Sequence, residues 1–137
     1  MKHVTGDKGD IGVAKAIGDL ITKGFMVLTP IASTAPFDLV AYKNNKFLKI
    51  QVKYRTINKR GVIEAKLRRS IITNFYVKTR KMLPSECDVL CIYCPDTGKC
   101  YYIKRDSFDE TVILRLNPTK NNQKRGVKLA FDYENLI

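Results

Sequence analysis

Asp38, Gln51 and Lys53 are the residues whose types and spacing point most directly to chemistry. The stretches that carry them alternate in side-chain character on either side of Asn44 and Asn45, a pair that tolerates the positive φ angles of a two-residue turn. Such a turn places Asp38 opposite Gln51, with their Cβ atoms about 5 Å apart, and Lys53 diagonal to Asp38. A carboxylate, a carboxamide oxygen and an ammonium group are therefore predicted to converge.

This combination of groups is suited to phosphodiester hydrolysis. The carboxylate of Asp38 and the amide oxygen of Gln51 are hard ligands that can hold Mg²⁺, with waters and phosphate oxygens completing the shell. Lys53 can orient or deprotonate the attacking water, or stabilise negative charge as a phosphodiester is attacked. The pattern predicts hydrolysis of a nucleic-acid backbone.

The charge of the chain favours the same class of substrate. Lys and Arg number 25 against 13 Asp and Glu, which gives a net charge of +12 and an isoelectric point near 9.7. Ten of these cations and a single acid, Glu64, lie between Lys53 and Lys81. A surplus of this kind favours a polyanionic partner, with nucleic acid as the first candidate. The alternative is an ordinary solvated face.

Length and composition predict one folded domain over residues 1–137. The 45% hydrophobic content is sufficient for a packed interior and argues against a disordered chain. The longest apolar run, Val89–Cys94, is too short to cross a membrane, and the first residues have no signal-peptide pattern. The cytoplasm of a bacterial or phage-infected cell, with reduced thiols, is the expected compartment.

Hydrophobic periodicity predicts the elements that must position these groups. A helix is expected over residues 7–23, with Asp7 as its N-cap and Gly24 at its end, followed by a short buried strand at 25–29. Residues 70–84 are ambiguous between helix and loop. Further strands are predicted at 37–43, 46–55, 62–68, 89–93, 101–104 and 112–116. A helix followed by a mixed sheet predicts an α/β or α+β sandwich.

The strand at 62–68 follows a turn and is predicted to pair antiparallel with the strand at 46–55. That register sets Lys66 opposite Lys53 and Glu64 opposite Arg55, so that a basic surface continues from the catalytic face. The residues expected to contact DNA are Arg55, Lys59, Arg60, Lys66, Arg68, Arg69, Asn121, Gln123 and Lys124. For the three in the C-terminal tail, ordinary loop composition is an equally good explanation.

Five segments of the chain, taken in order, resemble a known family. The residues PFD at 36–38, followed after twelve residues by QVK at 51–53, look like the PD-(D/E)XK nuclease motif with Gln in the place of an acid. The resemblance is closest to the small homing endonucleases encoded in bacterial and phage group I introns. The segments are GDIGVAKAIGDLITKGF, PFDLVAY, IQVKYR, DVLCIYCPDTG and LRLNPTKNNQ.

The resemblance implies a restriction-endonuclease-like α/β core, with an N-terminal helix followed by a mixed β-sheet with flanking helices. It also implies a homo-oligomer, a dimer or a tetramer, that cuts double-stranded DNA with Mg²⁺, for which Mn²⁺ substitutes. Carried over by residue, Asp38 and Gln51 become metal ligands, Val52 offers its carbonyl oxygen, and Lys53 becomes the catalytic lysine. Relatives often supply an acid from the helix where this chain has Val13.

Asp10, one turn earlier on the helix, is the candidate for that acid. A carboxylate stabilised by the helix dipole is an equally good explanation of Asp10. The substitution at Gln51 and the absent helix acid leave a second hypothesis open, a DNA-binding protein on the same fold that lacks cleavage activity. The only histidine, His3, lies at the N-terminal end, so a nucleophilic mechanism that needs a histidine base has none at hand.

The four cysteines and the tripeptide at 96–98 have ordinary explanations. Cys87, Cys91, Cys94 and Cys100 have spacings near those of a zinc knuckle, but Cys91 and Cys94 point to opposite faces of a strand, so we interpret them as core thiols. The sequence Asp-Thr-Gly at 96–98 occurs in aspartic proteases, but its flanking residues predict a hairpin turn here.

Overall fold

The computed structural model describes residues 5–118, 121 and 126–136. The helix α1 spans Thr5–Thr22, and two short 3₁₀ turns span Arg105–Ser107 and Ala130–Tyr133. The strands are β1 (Met26–Leu28), β2 (Leu39–Lys43), β3 (Lys46–Tyr54), β4 (Val62–Lys66), β5 (Arg68–Ile72), β6 (Val77–Lys81), β7 (Val89–Cys94), β8 (Lys99–Lys104), β9 (Thr111–Arg115) and β10 (Lys128–Leu129).

Helix α1 has the predicted extent and a defined C-terminal end. Asp7, which we expected as the N-cap, lies inside the first turn, where a carboxylate still interacts favourably with the helix dipole. At the other end Gly24 has a φ of 90°. The N–H groups of Gly24 and Phe25 donate to the carbonyls of Ile21 and Leu20, both at 3.0 Å. This is the bonding pattern of a glycine-terminated helix.

Strands β2 and β3 form the predicted hairpin. Asn44 and Asn45 have φ angles of 53° and 62°, which is the backbone that a two-residue turn with right-handed strand twist requires. Lys43 pairs with Lys46, so the register agrees with the two-residue loop expected from the sequence. The hairpin therefore has the predicted turn and register, with Gln51 and Lys53 on β3 and Asp38 directly before β2.

The hairpin belongs to a five-stranded mixed sheet in the order β1-β2-β3-β7-β8, in which β3 and β7 run parallel and the other pairs are antiparallel. Helix α1 covers one face of this sheet. Ala16 and Leu20 of the helix pack there with Ile50 and Val52 of β3 in a first hydrophobic core. Burial of this apolar area holds the helix against the strand that carries the site.

A smaller sheet in the order β10-β9-β4 covers the opposite face. Ile63 of β4 and Leu114 of β9 pack there with Leu90 and Ile92 of β7 in a second core. The α/β class, with an N-terminal helix followed by a mixed sheet, is confirmed. The resemblance implied flanking helices, whereas over the described residues α1 is the single α-helix and the second cover is a sheet.

The predicted pairing of β4 with β3 is wrong. β4 pairs with β9, with Lys66 opposite Thr111, and the place beside β3 is taken by β7. All residues of β7 are buried, so that strand needs cover on both faces and a central position. The expected pairs of Lys66 with Lys53 and of Glu64 with Arg55 therefore do not form.

Two other segments differ from expectation. Residues 70–84, ambiguous in the sequence, contribute to a separate two-stranded ribbon of β5 and β6, in which Arg69 pairs with Arg80. β1, expected to be buried, is an edge strand, with Met26 and Leu28 exposed. The ribbon could not be predicted from the sequence, because its outer residues pack against no core and therefore show no hydrophobic periodicity.

The remaining sequence features are in their predicted places. The four cysteines are buried free thiols, divided between the two cores. Residues 95–98 form the turn between β7 and β8, with Gly98 at a φ of 72°. Over the residues that the structure describes, no helix is both long and apolar enough to cross a membrane.

Candidate active site

Asp38 lies immediately before β2 and is fixed by its backbone and its side chain. Its N–H donates to the carbonyl of Ile50 at 2.9 Å. Its Oδ2 accepts a hydrogen bond from the N–H of Val52 at 2.8 Å. The pairing of β2 with β3 ends at Leu39 opposite Ile50, and Asp38, one residue earlier, is bonded to Ile50 and Val52, the two neighbours of Gln51 on β3. One carboxylate oxygen is thus bound to the backbone of β3.

Burial raises the pKa of the Asp38 carboxyl above its usual value. The hydrogen bond from Val52 and the positive charge of Lys53 act in the opposite direction. A carboxylate in this environment is poorly hydrated, so the ionised form gains from any cation that approaches it.

Lys53 has the complementary environment on β3. Burial lowers the pKa of its ammonium group, and repulsion by Arg55 lowers it further, whereas attraction to Asp38 raises it. The neutral amine is therefore more accessible near neutral pH than for an exposed lysine, which suits a group that accepts a proton.

Asp38, Gln51 and Lys53 line one open cavity of about 580 Å³. Its other walls come from the loop before β2 and from the base of the β5–β6 ribbon. Arg68 and Arg69 also line this cavity. The structure therefore places these two predicted DNA contacts near Asp38 and Lys53 through the β5–β6 ribbon, not through the expected pairing of β4 with β3. The remaining lining residues are Ser33, Thr34, Ala35, Pro36, Ser70, Ile71, Ile72 and Met82.

Lys53 also lines a second cavity, of about 570 Å³, at the C-terminal end of β3. Arg55 and Glu64 lie on its walls, together with Lys8 and Gly9 from the first turns of α1. Glu64 is ion-paired with Arg60, at 2.6 Å. The two cavities thus surround Lys53 with cations, one carboxylate from β4 and the N-terminal part of the helix.

Asp10 follows directly on Gly9 and is exposed on α1. It is not among the residues that line either cavity, in the part of the chain that the structure describes. Lys59 and Arg60 are exposed in the turn before β4, and Lys66 is exposed at the end of β4. These three cations therefore lie outside the cavity of Asp38.

The arginines at the cavity are already paired with acids. Arg68 bonds to Glu110 and Arg69 bonds to Glu86. Arg69 also donates to the carbonyl of Thr34, at 3.2 Å. Asn121 is exposed, and Gln123 and Lys124 lie outside the described residues.

Comparison with known proteins identifies the family of the chain. The sequence model of the PD-(D/E)XK endonuclease family matches residues 3–136. The chain belongs to this family. Its fold is similar to that of a bacterial homing endonuclease, I-Ssp6803I, with a TM-score of 0.76, 24% sequence identity, and 96% of this chain and 88% of that chain covered. No curated protein matches the chain.

The donor set of this PD-(D/E)XK site fits a hard divalent cation, of the kind that the family generally uses. Asp38 has a second carboxylate oxygen beyond the one bound to Val52, and Gln51, which carries an amide oxygen, lines the same cavity. Over the described residues no group of three or more His, Cys, Asp and Glu side chains is arranged to hold a metal. One carboxylate with neutral oxygens is the sparse protein shell that Mg²⁺, which retains waters, accepts.

Sequence reasoning missed four residues around the site. Glu64 and Gly9 lie near Lys53 only because β4 and α1 pack on the sheet, and no local sequence pattern at either residue indicates this position. Glu86 and Glu110, which bind the arginines, lie 17 and 42 residues from their partners. A separation of this length leaves no periodic pattern in the sequence.

Proposed function

We propose that this protein is a metal-dependent, site-specific homing endonuclease that hydrolyses phosphodiester bonds in both strands of double-stranded DNA. The observation that supports the proposal is the convergence of Asp38, Gln51 and Lys53 on one open cavity whose walls also carry Arg68 and Arg69. Membership of the PD-(D/E)XK endonuclease family gives the reaction class. The fold that the chain shares with a bacterial homing endonuclease supports the biological type.

Asp38, Gln51 and the carbonyl oxygen of Val52 are the groups that would hold the cation. Mg²⁺ is the proposed cofactor, with Mn²⁺ as a substitute, because hard oxygen donors suit both. When bound, such an ion acts as a Lewis acid and stabilises the negative charge that develops on the phosphate.

Lys53 accepts a proton from the water that attacks the phosphorus. Its lowered pKa favours the neutral amine, and it lines the same cavity as Asp38, where the phosphate enters. Once protonated, it offsets negative charge on the pentacoordinate phosphate. Asp10 follows Gly9, which lines the second cavity beside Lys53, and is the proposed helix acid that orients the attacking water.

Cutting both strands requires two active sites, so the proposed assembly is a dimer or a tetramer of this chain. A domain of 137 residues spans roughly one turn of duplex, which is too short to specify a unique chromosomal target. Two-fold assembly favours a pseudo-palindromic site. A nuclease of chromosomal DNA acts where that DNA lies, which gives the bacterial cytoplasm as the proposed compartment.

A second function has one observation in its favour. Gln51 occupies the place of an acid in the family motif, which removes one negative charge from the cation shell. A DNA-binding protein that has lost cleavage would tolerate this change. We propose it as the alternative.

Incubation of the purified chain with bacterial genomic DNA and supercoiled plasmid, in Mg²⁺ or Mn²⁺, separates the two functions. We expect cleavage that EDTA abolishes, with ends that sequencing places at a small number of related sites. Binding without cleavage in either metal would establish the alternative. A lack of both binding and cleavage would reject both.

A further inference from the structure

The β5–β6 ribbon is a long, exposed two-stranded element next to the catalytic cavity. It spans Arg68–Ile72 and Val77–Lys81, joined by the four residues 73–76. Its outer half is apolar but exposed, since Phe75 is 92%, Ile72 79% and Val77 63% accessible. Apolar side chains left in water on a structured element indicate a surface that is covered in a complex.

Ion pairs fix the base of the ribbon to the body of the protein. Arg69 and Arg80 lie opposite each other across the two strands, and both bind Glu86. On the other face of the ribbon, Lys81 binds Asp109 at 2.8 Å. These ion pairs fix the orientation of the ribbon, so its outer half has a defined position relative to the cavity that Asp38, Gln51 and Lys53 line.

The tip of the ribbon is also ordered by hydrogen bonds. The N–H of Thr73 donates to the carbonyl of Tyr76 at 3.0 Å. The hydroxyl of Thr73 accepts from the N–H groups of Phe75 and Tyr76, at 3.4 and 3.2 Å. A turn closed in this way presents Asn74 and Phe75 outward at a low entropic cost on binding.

Strand β5, the first strand of the ribbon, forms a wall of the cavity that contains Asp38, Gln51 and Lys53. The lining residues of this strand are Arg68, Arg69, Ser70, Ile71 and Ile72. A duplex that places a phosphate in the cavity must therefore lie against the ribbon. The groove of the duplex next to the scissile phosphate is then the part that faces the ribbon.

We propose that the β5–β6 ribbon enters the major groove of the target duplex beside the scissile phosphate and reads base edges there. A two-stranded ribbon fits the major groove, which is about 12 Å wide, but not the minor groove of about 6 Å. Asn74 can bond to an adenine edge, and the hydroxyl of Ser70 can bond to several bases. Phe75 and Ile72 provide apolar contact for thymine methyl groups.

Charge selects DNA rather than a second copy of the chain as the occupant. The segment Arg68 to Lys81 contains five cations and no acid. Four of these cations, Arg68, Arg69, Arg80 and Lys81, are ion-paired with acids outside the ribbon, and the fifth, Lys78, is exposed on β6. Contact between two ribbons across a two-fold axis would bring the two Lys78 side chains together with no acid on either ribbon, which costs free energy. A polyanion is attracted to the same surface.

This inference rests on the proposed function, and its test keeps the two apart. The full chain carrying Lys53→Ala selects bound duplexes from a randomised pool, which yields a consensus without cleavage. The double variant Asn74→Ala/Phe75→Ala is compared with the control Phe131→Ala, which removes an exposed phenylalanine away from the ribbon. Circular dichroism verifies that both variants fold.

We expect the ratio of affinities for consensus and random DNA to fall about tenfold or more in the ribbon variant, and to stay unchanged in the control. Replacing consensus purines by 7-deaza analogues, which removes a major-groove acceptor, should weaken binding of the unsubstituted ribbon by about tenfold. It should weaken binding of the ribbon variant much less, because the contact is already lost.

Three results would overturn the inference. An unchanged consensus in the ribbon variant would place base reading elsewhere. Full sensitivity of the ribbon variant to the 7-deaza analogues would reject the major-groove contact. A lower assembly mass of the ribbon variant in sedimentation without DNA would make the tip an interface between copies. By contrast, absence of any consensus and of any cleavage by the unsubstituted chain would reject the proposed function itself.

Discussion

Asp38 binds the backbone of β3 through a single oxygen, with its Oδ2 at 2.8 Å from the N–H of Val52. Asp88 makes the same kind of bond on the same strand, with its Oδ2 at 2.8 Å from the N–H of Lys49. Asp88, however, directly precedes β7, on the side of β3 opposite to β2, and lines a different cavity from that of Asp38. The chain thus contains two structurally equivalent carboxylates, of which one is proposed to be catalytic.

Asp38→Asn should abolish metal-dependent cleavage and tighten binding of DNA, because it removes the negative charge nearest the phosphate while keeping an oxygen for the Val52 hydrogen bond. Asp88→Asn is the matched control and should cut DNA at close to the normal rate. The measurement is cleavage in Mg²⁺ together with DNA affinity for both variants. Unchanged Mg²⁺-dependent cutting by Asp38→Asn would show that the essential acid is elsewhere.

Lys53→Ala should abolish cleavage while DNA binding stays nearly intact. General base catalysis is worth about 10²–10⁴-fold in rate, whereas the affinity for DNA is shared among many other cations. Parallel cleavage and binding assays check this expectation. Lys49→Ala, four residues earlier on the same face of β3, is the control, since the amine of Lys49 donates to the carbonyl of Ser85. Loss of binding in step with cleavage would contradict the role of Lys53 in the chemical step.

Arg55→Gln should move the pH dependence of cleavage to higher pH. The positive charge of Arg55 lowers the pKa of Lys53, so its removal raises that pKa and leaves less neutral amine at a given pH. The rise of rate with pH should then shift upward. Lys59→Gln, which removes an exposed cation that lines neither of the two cavities beside Lys53, should not shift the profile. A profile unchanged in both variants would exclude Lys53 as the titrating base.

The catalytic hairpin could be predicted from the sequence because its determinants are local. Asn44 and Asn45 specify the turn, the turn fixes the register from Lys43 opposite Lys46 to Leu39 opposite Ile50, and this register brings Asp38 beside the middle of β3. The packing of α1 could likewise be predicted, since its period and its terminal glycine lie within one segment.

The surroundings of the hairpin could not be predicted, because they depend on contacts between distant segments. The full burial of β7, which excludes β4 from the place beside β3, follows from the packing of both layers. The two-stranded ribbon packs no face against a core, so its sequence shows no hydrophobic periodicity. Its orientation depends on Glu86, which follows β6 in the sequence. The basic surface was predicted correctly in sign but not in position, as Lys66 demonstrates.

The last prediction concerns the helix acid. Asp10 lies next to Gly9, which lines the cavity of Lys53, and Asp7 occupies the first turn of the same helix. Loss of either carboxylate removes a favourable interaction with the helix dipole, at a cost of up to ~1 kcal/mol in the free energy of unfolding. If Asp10 orients the attacking water, Asp10→Asn should in addition lower the cleavage rate by about 100-fold, and Asp7→Asn should not. Thermal unfolding and single-turnover cleavage of both variants separate the two effects. Equal, small rate changes in both would reduce Asp10 to a stabilising role, and a large loss in Glu64→Gln alone would place the acid on β4.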